Sequence, residues 1–104
     1  MKVIRDEEHI NHCKMVGANL RYLRVARKWT QDRVGRALVV RFQQIQKYEA
    51  GTNGLSAWRL KQLANLFGVS PLDILDDSFI AKSCQRKSES NVLTLTQRTA
   101  IRIF

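Results

Sequence analysis

Between Thr30 and Gly51 the chain reads TQDRVGRALVVRFQQIQKYEAG, a run with room for two short helices, one tight turn and little else. In its second half, FQQIQKY, Ile45 and Tyr48 fall three apart on one helical face, while Phe42, Gln43, Gln46 and Lys47 fall on others. Such a helix buries its apolar pair and turns amides and a cation outward. Amide side chains can make paired hydrogen bonds to adenine edges, and cations such as Arg41 and Lys47 suit phosphates or guanine. The stretch therefore suits a DNA major groove.

The charge distribution points the same way. The chain has 104 residues and a net charge of +9, and its segment 16–61 holds ten of the 18 Lys and Arg residues against only Asp32 and Glu49. Elsewhere the charges nearly cancel. A basic block that coincides with a compact helical motif is the footprint of a nucleic-acid binder, with an anionic membrane surface as the rival partner. The length allows one small domain with tails. Cys13 and Cys84 are far apart and form no metal-type pair, so reduced thiols in a cytoplasmic protein are expected. His9, His12 and Cys13 are near neighbours but lack a second ligand pair, and no metal or other cofactor is expected. No apolar run approaches a membrane span, and residues 1–10 lack the apolar centre of a signal peptide.

Residues 1–12 read as a polar arm leading into the first helix. From Cys13 to Arg27, Val16, Leu20 and Leu23 recur at helical spacing and predict one buried stripe. Thr30 is a suitable N-cap for the second helix, Gly51 a left-handed C-cap for the third, and Ser56 and Gly68 bound a fourth with Leu60, Leu63, Ala64 and Phe67 facing inward. Ser70-Pro71 starts a fifth, in which Leu72, Ile74 and Leu75 are expected to seal the bundle. The expected fold is thus all-α, a five-helix domain over residues 13–77, followed by a linker at 78–91 and an apolar, dimerising segment at 92–104. Trp58 is expected in the core or at a subunit contact, and Ile101 and Phe104 at a dimer interface.

Thr30-Gln31, Val34-Gly35, Leu38, Val40, Ile45, Glu49 and Gly51 resemble, without a gap, the helix-turn-helix pattern of the Cro and phage-repressor-like (XRE) family, and the likeness runs from about Val16 to Leu75. The resemblance implies a λ-repressor-like domain and several specific roles. Arg24 aligns with an arginine that reaches the glutamate after the recognition helix, here Glu49. Gly35 takes the small position at the helix crossing. Gln31, Thr52 and Asn53 take phosphate-holding positions, with Arg41 and Gln44 beside them, and Phe42, Gln43, Gln46 and Lys47 face the bases. One departure stands out: Val39 occupies the turn position usually given to glycine, so the turn is expected to be reshaped or strained.

The function implied is a sequence-specific, double-stranded-DNA-binding regulator, a homodimeric repressor on an inverted repeat. An antitoxin-type autoregulator, gripping a protein partner through Ser78–Phe104, is the alternative. The His, Cys and Ser residues form no nucleophile, base and orienter series, so no enzyme is expected.

Overall fold

A computed structural model of the protein describes residues 2–84, with side chains from Glu7 onward, and within them the fold is all helical. Its helices are α1 (Lys2–Ala26), α2 (Gln31–Leu38), α3 (Phe42–Ala50), α4 (Ala57–Phe67) and α5 (Pro71–Ile74). The boundaries follow local chemistry. The Thr30 hydroxyl accepts from the Arg33 N–H at 3.0 Å, the Ser56 hydroxyl from the Arg59 N–H at 3.1 Å, and Ser70 with Asp73 forms a reciprocal capping box ahead of Pro71. Gly51 and Gly68 close α3 and α4 at φ 77° and 71°, where a side chain would be strained.

Val16, Leu20 and Leu23 of α1 meet Val34 and Leu38 of α2, Ile45 of α3, and Leu63, Ala64 and Phe67 of α4 in one core. Trp29, in the α1–α2 corner, stacks on Phe67 with ring centroids 5.8 Å apart. Asn19 is the one polar residue buried with them among the described residues. Its amide donates to the carbonyls of Ile74 (2.8 Å) and Asp76 (2.9 Å), which pins α5 to α1 without leaving a buried donor unsatisfied.

Three sequence expectations differ from the structure. The first helix does not begin at Cys13 but runs back to Lys2, because nothing from residue 2 to 12 is a proline or glycine that would break it. The domain does not stop at Asp77: residues 79–84 are helical, Phe79 is buried, and its ring meets Tyr22 edge-on at 6.1 Å. Phe79 and Ile80 are apolar residues that the core takes up, not linker. Leu72 and Leu75 do not seal the bundle; Leu72 is 74% exposed and only Ile74 of that trio is buried. The segment 92–104, with Ile101 and Phe104, lies outside the described residues.

Candidate nucleic-acid interface

Helix α3 shows the division read from its sequence. Ile45 is buried, Tyr48 and Gln44 are half-buried, and Arg41, Phe42, Gln43, Gln46 and Lys47 are exposed. Its N-cap Arg41 makes no side-chain bond to the helix start, so the N–H groups of Phe42 and Gln43 are left without a side-chain cap, while that of Gln44 bonds to the Arg41 carbonyl at 3.0 Å. The outward face therefore combines two amides, two cations, an aromatic edge and the positive end of a helix.

That face is held in place from behind. The Arg24 guanidinium donates from Nε to Glu49 Oε2 at 2.6 Å and from Nη2 to Glu49 Oε1 at 3.0 Å, while Nη1 donates to the Trp29 carbonyl at 2.8 Å. The pair is largely shielded, with side chains 13% and 6% exposed, so α1, the α1–α2 corner and the last turn of α3 share one bidentate clamp. The Gln31 amide also donates to Glu49 Oε1, at 3.1 Å. This orients Gln31 at the start of α2 and leaves its second amide hydrogen and its own backbone N–H free of intrahelical partners.

Glycine sets the spacing. A Cβ on Gly17 would lie 2.4 Å from the Glu49 carbonyl oxygen, and one on Gly35 would lie 2.7 Å from that of Val40. Both crossings, α1 on α3 and α2 on the turn, need the missing side chain. Gly35 was legible from its place in the motif. Gly17 and Asn19 were not singled out, although a glycine within a helical apolar stripe marks close approach and an amide on that stripe marks a buried hydrogen bond.

The turn is strained, not reshaped. Val39 sits at φ 58°, ψ 45° with its side chain 90% exposed, while its own N–H and that of Val40 bond back to Arg36 and Gly35. Arg59 of α4 supports the same corner through the Leu38 carbonyl at 3.4 Å. After α3, the Thr52 N–H bonds to the Lys47 carbonyl at 2.9 Å, which ties the exposed Thr52–Asn53 loop to the end of α3. Trp58 is 65% exposed and does not complete the core.

Two short helices crossing at a glycine, the second with a polar outward face and an apolar inward one, define a helix-turn-helix protein. The family model described as Helix-turn-helix matches residues 20–74, and the chain belongs to that XRE-type helix-turn-helix family. It is similar to an HTH-type transcriptional regulator y4wC of Sinorhizobium fredii, 34% identical over 80 residues that cover 77% of this chain and 56% of the relative. It is also 42% identical over 69 residues to a transcriptional regulator in the ATPase CF(0) region of Rhodospirillum rubrum, covering 65% and 63% of the two chains. The chain spans about half the length of most of the curated relatives it matches. In fold it resembles the clp gene regulator ClgR from Corynebacterium glutamicum, with a TM-score of 0.60 at 22% identity over 82% of this chain and 90% of that one. No helix among the described residues is long and apolar enough to cross a membrane.

Proposed function

We propose that the protein acts in the bacterial cytoplasm as a homodimeric repressor, each subunit laying α3 in the major groove of one half of an inverted repeat. The half-sites would lie about one helical turn, roughly 34–36 Å, apart. The observation that carries this reading is the co-exposure of Gln43, Gln46 and Lys47 on a helix whose opposite residue, Ile45, is 3% exposed. Gln43 and Gln46 read adenine edges, Phe42 touches a thymine methyl, and Lys47 reads guanine or holds phosphate. Arg41, Gln31, Thr52 and Asn53 grip the backbone on either side. Gln44, half-buried, approaches phosphate only at its tip. Exposed Trp58 is the candidate subunit contact within the described residues.

Selection of bound fragments from random duplex DNA, followed by footprinting and measurement of protein mass on the selected site, tests the proposal. Two subunits on a palindromic sequence are expected. A single subunit on an asymmetric site, or no enriched sequence at all, overturns it.

A further inference from the structure

Below the loop that follows α3 lies a cavity of about 190 Å³ that shares Asn53 with the proposed DNA-facing surface. His9, His12 and Cys13 of α1 and Asn53 of the loop line it with polar groups, and Val16, Leu55 and Leu60 with apolar ones. His9 and Cys13 are one helical turn apart, with both ring nitrogens 3.8–3.9 Å from the sulfur. These polar side chains can donate and accept hydrogen bonds.

Size and lining define the occupant. An apolar cavity of about 150 Å³ accommodates benzene, so this one admits a single ring and one small substituent. The apolar side chains take the ring, and the imidazole and carboxamide groups take one hydrogen-bonding group.

The position gives such a ligand leverage. A Cβ on Gly51 would lie 2.8 Å from the Lys14 Cα, and one on Gly17 2.5 Å from the Tyr48 carbonyl oxygen, so α1 and the end of α3 already touch backbone to backbone. Tyr48 and Asn53 both line the cavity. A ligand that hydrogen-bonds the Asn53 carboxamide inside the cavity takes that group away from the phosphate it would hold.

We propose that this cavity is an effector site for a small single-ring aromatic molecule bearing one hydroxyl-like group, and that filling it withdraws the Asn53 side chain from phosphate and weakens DNA binding. The second half rests on the loop's proposed role at phosphate; the first does not.

The probe is phenol at millimolar concentration, followed by amide NMR shifts on the full chain, with toluene as the isostere lacking the hydroxyl. Shifts centred on Cys13, Asn53 and Gly54 are expected, larger for phenol than for toluene, with DNA affinity lowered by about fivefold or more. Gly54 lies outside the left-handed region, and a Cβ there would meet Cys13 Sγ at 3.8 Å and His9 Nε2 at 4.0 Å, ordinary contacts. Gly54→Val should therefore fold, block the cavity mouth, and abolish the phenol shifts while retaining DNA binding without phenol. Shifts scattered over the surface, equal for toluene, or persisting in Gly54→Val overturn the site. Phenol binding with unchanged DNA affinity overturns the coupling. Loss of DNA binding in the unliganded wild-type protein would instead count against the proposed function.

Discussion

Arg24 and Glu49, twenty-five positions apart in the chain, are joined by two hydrogen bonds of 2.6 and 3.0 Å that tie α1 to the end of α3. Glu49 also receives the Gln31 amide, so one carboxylate fixes α1, α2 and α3 relative to each other. The pair is shielded from water, and removing one partner leaves the other desolvated without compensation. Arg24→Ala should cost about 3 kcal/mol or more in chemical denaturation. Glu49→Gln, which retains shape and an acceptor, should cost less. Equal and negligible losses would mean that the clamp contributes nothing to stability.

Val39 offers a change in the other direction. Its backbone is left-handed and its side chain touches almost nothing, so Val39→Gly removes strain and sacrifices little burial. The strain is worth about 1–3 kcal/mol. The greater freedom of glycine in the unfolded chain takes back roughly 0.5–1 kcal/mol. A net gain of about 1 kcal/mol is expected, read as a Tm raised by several degrees.

Gly17→Ala should act oppositely. The added methyl would meet the carbonyl oxygens of Glu49 and Tyr48 at 2.4 and 2.5 Å, and both belong to the backbone and cannot swing away. A loss of about 2 kcal/mol or more is expected from overpacking, with weaker DNA binding as α3 tilts. A variant of wild-type stability would show that α1 and α3 can slide apart freely.

The DNA roles separate by salt and sequence. Gln43→Ala should flatten discrimination between the selected site and scrambled DNA, losing roughly 1–3 kcal/mol on the former alone. Arg41→Ala should weaken both alike and reduce the salt slope by about 1. Titrations at three salt concentrations decide this, and identical behaviour of the two variants would refute the division.

Asp76 provides a pH test. The Ser78 hydroxyl and N–H donate to its Oδ1 at 2.7 and 2.9 Å and Lys82 donates to Oδ2 at 3.1 Å, which together lower its pKa from 3.8 to about 2. A carboxyl whose pKa is depressed on folding adds stability above its unfolded value, and that contribution is lost as pH falls from about 4 toward 2. Asp76→Asn should therefore narrow its stability gap from wild type across this window. A gap constant with pH would remove the carboxylate from the account.

Tyr48 and Ile45 at helical spacing, the caps Thr30, Ser56 and Ser70, and the stops at Gly51 and Gly68 were all legible along the chain, because each depends on neighbours within about one turn. The Arg24–Glu49 pair was legible only through likeness to a family pattern, since nothing local relates the two residues. Other features had no local signal strong enough to decide them. Whether Phe79 belongs to a linker or a core depends on Tyr22 being nearby, and whether Leu72 is buried depends on what lies opposite α5. Val39 could have escaped its strain by reshaping the turn; the bonds from Val39 and Val40 to Arg36 and Gly35 hold it in the left-handed region.

The sequence by itself determined the helices α2 to α5 and which face of α3 is polar, since periodicity and capping act over one or two turns. Only the tertiary structure decided how closely α1 approaches α3, where the domain ends and which amides are oriented by Glu49. Those depend on atoms brought together from positions tens of residues apart, where a single missing Cβ or a shared carboxylate sets the distance.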